Sequence, residues 1–241
     1  MATIEENVRV WNGTYTWPNG GDEWSNNFGG TTALWHFILY PRIHRFVPVP
    51  AILEIAPGFG RWTQFLKTQC QSIIAVDVSQ KCIEHCRKRF VSEPHMHFYV
   101  NDGTSLSAIP DNSIDFVFSF DSLVHAEKDV IAAYLSQLAR KLSADGVGFI
   151  HHSNIGAYPG RLAVLDHYFK LPPSFRRIVL TKDTISKLLS ISLQASRARS
   201  MTAALFGEYC LQAGFDHTHF VGNSCAPKGA IRSRQNHRNK L

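Results

Sequence analysis

From residue 51 the sequence alternates short apolar runs with amphipathic stretches, and this cadence narrows the fold more than any other feature. AILEIA (51–56), SIIAVDV (72–78), HFYVND (97–102), SIDFVFSFD (113–121) and VGFIHHS (147–153) read as strands. Between them, RWTQFLKTQC (61–70), SQKCIEHCRKRF (79–90, with Ser79 as N-cap) and EKDVIAAYLSQLARKLSADG (127–146, closed by Gly146) read as helices. Strand and helix in this alternation predict a doubly wound α/β domain, a mostly parallel sheet covered on both faces. Such sheets take ligands at the carboxyl ends of their strands, near the point where strand order reverses.

The flanking segments read differently. Residues 1–50 form an N-terminal aromatic cap: 1–30 are rich in Trp, Asn and Gly and read as loop, and 31–47 as a helix interrupted near Pro41. The core spans 51–154. Residues 155–197, with Pro159, Pro172 and Pro173 and a basic helical run, break the cadence and read as an insertion or lid over the strand ends. Residues 198–226 return to the core, with a helix stopped by Gly214 and a late strand at 216–222. Residues 227–241 hold five of the six net positive charges and read as a fraying basic tail, not a nucleic-acid footprint on a folded face. Five cysteines with no CxxC pair argue against a disulfide framework or zinc ribbon, and Cys82 and Cys86 read as small packers on one helix face. No apolar run approaches the roughly 20 residues that span a bilayer, and the first residues lack a secretion-signal pattern, so a cytoplasmic protein is expected.

Polar residues gather at the strand ends. Glu54 precedes the turn Ala56-Pro57-Gly58-Phe59-Gly60, whose glycines admit a ligand to the backbone. Asp77 ends the second strand, where a carboxylate suits ribose hydroxyls. Asp102-Gly103 ends the third and suits an exocyclic amine. Together these describe a site for a nucleoside with a cationic, amino-acid-like end. The dinucleotide fingerprint G-x-G-x-x-G/A lacks its third small residue here, which counts against an NAD-linked dehydrogenase.

The run LEIAPGFGRWTQFL, then AVDVS, VNDG and DFVFSFDSLVHAE, resembles the class I S-adenosylmethionine-dependent methyltransferases over about residues 50–152. The resemblance implies a Rossmann-like, seven-stranded sheet whose last pair includes one antiparallel strand. The family motif acid-x-G-x-G-x-G is met except that Ala56 stands at the first glycine. By that likeness Glu54 and the turn Ala56-Pro57-Gly58-Phe59-Gly60 hold the methionine end of S-adenosylmethionine, Asp77 the ribose, and Asp102 and Gly103 the adenine. Phe120 and Asp121 line the sulfonium pocket, and Trp62 and Val78 are further cofactor-binding residues.

An oxygen acceptor needs a base. Asp121, His125, His151 and His152 stand near adjacent strand ends, and strand alternation admits only one of His151 and His152 to the site. His152 is the expected base, with His125 second and Asp121 its acidic partner. The same residues also fit a divalent metal, although their spacing does not demand one. The pattern, including EWSNNFGG and ALWHFILYPRIH, looks like bacterial enzymes that O-methylate sugars or polysaccharides. Trp17, Trp24 and Trp35 suit sugar faces, and Arg161, Arg176, Arg177, Arg197 and Arg199 suit a phosphate. The expected partner is thus a small-molecule or glycan acceptor. The competing readings are an RNA or protein methyltransferase and a non-catalytic module of the same fold.

Overall fold

The computed structural model describes residues 3–172, 197–221 and 228–233. Most of the basic run of the insertion, with Arg176 and Arg177, and also Cys225 lie outside the described residues.

The strands are β1 (Val49–Ile55), β2 (Cys70–Asp77), β3 (Met96–Val100), β4 (Ile114–Ser119), β5 (Leu142–His151), β6 (Phe215–Val221) and β7 (Lys228–Ser233). They form one sheet in the order β3-β2-β1-β4-β5-β7-β6. Strands β3 to β5 of that order run parallel, and β7 pairs antiparallel with both β5 and β6. Strand order reverses between β1 and β4, which places the switch point beside the glycine turn.

Alternation along the buried strands distributes side chains to two cores. Ile52, Ile73, Phe116, Phe118 and Phe149 join one, and Leu53, Val76, Val117 and Ile150 the other. Helices cover both faces: α1 (Ile4–Arg9), α2 (Thr31–Leu34), α3 (Tyr40–Ile43), α4 (Thr63–Leu66), α5 (Gln80–Arg89), α6 (Lys128–Lys141), α7 (Pro159–Lys170) and α8 (Ala203–Ala213). Ser79 caps α5, its hydroxyl accepting the Cys82 amide, and Gly214 ends α8 in a left-handed conformation. Cys82 and Cys86 pack in the core as expected. Among the described residues no helix is long and apolar enough to cross a membrane.

Four expectations are corrected. Residues 1–30 are largely helical: α1 runs into a π-helical turn at Val10–Thr14, and a 3₁₀ segment follows at Asp22–Phe28. Thr3 accepts the Glu6 amide, so Thr3-x-x-Glu6 was the helix-start signal the aromatic-rich composition obscured. Helix α6 stops at Lys141, not at Gly146, because Leu142 already pairs with Ile114 across a bulge in the β4–β5 ladder. Gly146 serves close packing: a Cβ there would lie 2.8 Å from Leu142. Residues 61–70 yield only the single turn of α4, since the glycine turn occupies the preceding positions. Finally, Lys228–Ser233 of the supposed tail forms β7, where ladder hydrogen bonds on both sides hold it.

Candidate active site

A cavity of about 530 Å³ opens over the carboxyl ends of β1, β2, β4 and β5. Its wall includes Ala56, Pro57, Gly58, Trp62, Asp77, Val78, Gly103, Phe120, Asp121 and His125, all anticipated at strand ends. It also includes Arg61 and His151, which the sequence did not single out as the acting groups, and Arg197.

On the β1–β3 side, acids are held by nearby amides. Asp77 is buried; its Oδ2 accepts the Gly58 amide at 3.1 Å and its Oδ1 the Ser79 amide at 2.9 Å. Burial pushes Asp77 up to about 6 against the pull of those amides. Glu54 lies beneath the turn and outside the cavity wall, where it accepts the Thr63 hydroxyl at 2.6 Å. Burial pushes it up to about 8. Asp102 also stays off the wall: its Oδ1 accepts the amides of Thr104 and Ser105, and these hold its carboxyl below the usual range. Gly60 is likewise a packing glycine, since a Cβ there would lie 2.6 Å from Phe90. Thus Glu54, Gly60 and Asp102 shape the turns around the site instead of lining it. Gly103 does line it, packed against Val78 and Ile4.

On the β4–β5 side, side chains bind each other across long sequence distances. Asp121 Oδ2 accepts from Arg61 Nη2 at 3.1 Å, and Asp121 Oδ1 lies 3.1 Å from His151 Nδ1. The Asp121 amide also approaches Nδ1, at 3.3 Å. The carboxylate is closer and charged, which favours a proton on Nδ1 and leaves Nε2, a buried atom, as the basic nitrogen. Burial raises the Asp121 carboxyl, but His151 and then Arg61 outweigh it and hold the group well below the ordinary carboxylate range. His151 stacks on Phe120 at 4.7 Å.

His152, the expected base, lies off the cavity wall. It is fully buried on the opposite face, stacked on Phe206 at 4.0 Å, and its Nδ1 meets the Ser153 carbonyl at 2.8 Å. Burial lowers it to about 4. Alternation correctly separates the two histidines; α8, which supplies Phe206, decides which face is core.

Two residues at this junction hold left-handed backbones although neither is glycine: Ala56 (φ 59°) and Asp121 (φ 64°). The Ser122 hydroxyl donates to the Ala56 carbonyl at 2.8 Å and braces one strained strand end against the other.

The cap closes the top. Trp11, Tyr15, Trp17 and Trp24 form one aromatic cluster, and Trp17 stacks on Phe59 at 4.4 Å. Gly58 makes room for it, since a Cβ would lie 2.9 Å from the Trp17 ring. Asn12 accepts from the Ser79 hydroxyl and the Lys81 amide, pinning the cap to the start of α5. Trp17 and Trp24 line the cavity, whereas Trp35 is core, stacked on Phe65. His125 sits on the wall with its ring 5.7 Å from Trp11. Arg199 Nη1 donates to both oxygens of Asp166. No cluster of metal-ligating side chains occurs among the described residues.

Residues 52–146 match the family model of a methyltransferase domain. The ribosomal RNA small subunit methyltransferase A of Coxiella burnetii is 22% identical over 134 residues, covering 49% of this chain and 48% of that protein. The chain therefore spans about half the length of the curated relatives it matches. Among solved structures, N-methyltransferase NodS from Bradyrhizobium japonicum, in complex with S-adenosyl-L-homocysteine, aligns with a TM-score of 0.59 at 12% identity, covering 96% of this chain and 97% of that one. A putative S-adenosyl-L-methionine-dependent methyltransferase from Methanococcus maripaludis aligns with a TM-score of 0.56 at 18% identity, covering 90% and 92%. Residues 52–146 thus carry a match to a methyltransferase domain, and the fold is one shared with solved methyltransferases.

Proposed function

We propose that the chain transfers a methyl group to a hydroxyl oxygen of a sugar or glycan, with His151 as general base. The observation that carries this reading is the His151–Asp121 pair on the cavity wall, held from behind by Arg61. A hydroxyl needs a proton acceptor in reach, and a neutral imidazole oriented by a carboxylate is suited to that task.

The cavity residues fit the cofactor. The volume is in the range of about 300–1,000 Å³ typical of small-molecule sites. The buried Trp62 Nε1 on the wall has no hydrogen-bond partner among the described residues and can donate to a ligand. Asp77 would take the ribose hydroxyls, and the Ala56–Gly58 turn the amino-acid end. When bound, S-adenosylmethionine supplies an already activated methyl group. The chain's own contribution is to hold the acceptor oxygen in line, exclude water with the aromatic cap, and take the acceptor proton at His151 Nε2. Trp24 and Phe28, half exposed at the rim, offer flat apolar faces to a sugar ring.

RNA methylation is a second reading, motivated by the similarity to an rRNA methyltransferase. The test of both is transfer of radiolabelled methyl from S-adenosylmethionine to panels of glycans, nucleotide-sugars and RNA, after calorimetry with S-adenosylhomocysteine. Label in a glycan fraction, lost in His151→Ala, supports the proposal. Label in RNA alone, with a steep salt dependence, replaces it.

A further inference from the structure

We infer that Arg61 is a positioning residue that couples seating of the N-terminal cap to the orientation of the Asp121–His151 pair. The inference rests on the reading of His151 as base.

Arg61 leaves the glycine turn and buries its guanidinium, at 7% exposure, between the cap and the end of β4. Nη1 donates to the hydroxyl of Ser25, a fully buried residue of the cap's 3₁₀ segment, at 3.2 Å. Nη2 donates to Asp121 Oδ2 at 3.1 Å, and the guanidinium lies over the Trp62 ring at 4.5 Å. One rigid planar group thus touches the cap with one nitrogen and the acid of the pair with the other. A lysine ammonium has no such fork and cannot make both contacts in this geometry.

The consequence is directional. With the cap seated, Arg61 fixes Oδ2 and leaves Oδ1 for His151 Nδ1. With the cap displaced, Nη1 loses Ser25, the guanidinium gains water, and its hold on Asp121 weakens. The base is then oriented only beneath a closed cap, when water has been excluded. Other charges reach this cluster: Arg197, the last residue of the 155–197 segment, acts on Asp121, and Asp22 and Glu23 of the cap act on Arg61. His152 feels His151 through the strand, and His125 lines the same cavity. Among the described residues, Arg61 bonds both to Ser25 of the cap and to Asp121.

The experiment is NMR titration of histidine ring signals in the full chain, with the His151 signal identified by its loss in His151→Gln. Removing the guanidinium leaves more of the Asp121 charge to His151, so Arg61→Gln should raise the His151 midpoint by about one pH unit. Arg61→Lys should raise it less, and Ser25→Ala should move it in the same direction by a few tenths of a unit. A His151 midpoint unchanged in folded Arg61→Gln overturns the inference. If that variant does not fold, an unchanged midpoint in Ser25→Ala overturns the coupling to the cap. Failure of the unaltered chain to bind S-adenosylhomocysteine would instead remove the functional reading, independently of the titration.

Discussion

The two halves of the cavity are built on different principles. At the ends of β1 to β3, carboxylates are locked by local donors: Asp77 by the amides of Gly58 and Ser79, Asp102 by those of Thr104 and Ser105, Glu54 by the Thr63 hydroxyl. At the ends of β4 and β5, Asp121 is held by side chains 60 and 30 residues away. The first half is a cradle of backbone and hydroxyl donors around fixed carboxylates. The second is a charge cluster, open to adjustment by the cap and suited to managing a proton.

The largest effect expected separates two neighbours in sequence. His151→Ala should reduce methyl transfer to the identified acceptor by about 10²–10⁴-fold, beyond whatever its loss from the buried site on Phe120 and Asp121 costs in stability. His152→Ala should leave transfer per folded molecule nearly unchanged, while costing on the order of 2–3 kcal/mol of stability by emptying its stacked site on Phe206. Thermal melts beside single-turnover rates decide between them. If His152→Ala were the variant that stopped transfer without loosening the fold, the division between core face and site face would be wrong.

Next is the cradle. Asp77→Ala removes the acceptor for two backbone amides and, on the proposed function, the group that receives the ribose hydroxyls. Binding of S-adenosylhomocysteine should weaken by about 100-fold or more, corresponding to roughly 3 kcal/mol. Calorimetry showing near-normal binding would mean that the local half of the cavity is a structural cap and not a cofactor site.

The same contrast explains what could be read from the chain alone. Asp77, Gly58, Gly103 and Phe120 were legible because each stands at the end of a strand that the sequence pattern itself marks out. Arg61 sits within the run GFGRW, yet nothing local says that its guanidinium reaches Asp121 and Ser25. Alternation showed that His151 and His152 point oppositely, but the choice between faces comes from α8 and the cap, remote in sequence. The strand β7 was hidden for a related reason: KGAIRS carries little apolar signal, and its place between β5 and β6 comes from pairing with distant strands.

A smaller effect tests the buried acid of the cradle. Glu54 has an ordinary value of 4.5 and is pushed to about 8 by burial. Across that window the folded chain keeps a proton that the unfolded chain releases, so this group lowers stability as pH rises from about 4.5 to 8. Asp77 contributes a slope of the same sign only up to about 6. Between pH 6 and 8, Glu54→Gln, which keeps an acceptor for Thr63, should therefore remove a slope of about 1 kcal/mol per pH unit. Denaturant titrations at several pH values measure it; an unchanged slope would show that Glu54 is ionised in place.

The smallest effect bears on the seam where the two halves meet. Ala56 holds a left-handed backbone at φ 59°, a conformation that costs an alanine about 1 kcal/mol and a glycine almost nothing. Glycine also gives the unfolded chain more freedom, worth roughly 0.4–1 kcal/mol in the opposite direction. Ala56→Gly should therefore change stability by less than about 1 kcal/mol in denaturant titrations. Its informative readout is the neighbouring half. Ser122 ties the Ala56 carbonyl to the residue next to Asp121, so a relaxed Ala56 that shifted the His151 titration would show strain passing from cradle to charge cluster. A titration left unmoved, with stability near that of the parent chain, would make the seam a passive joint and the two halves independent parts of one cavity.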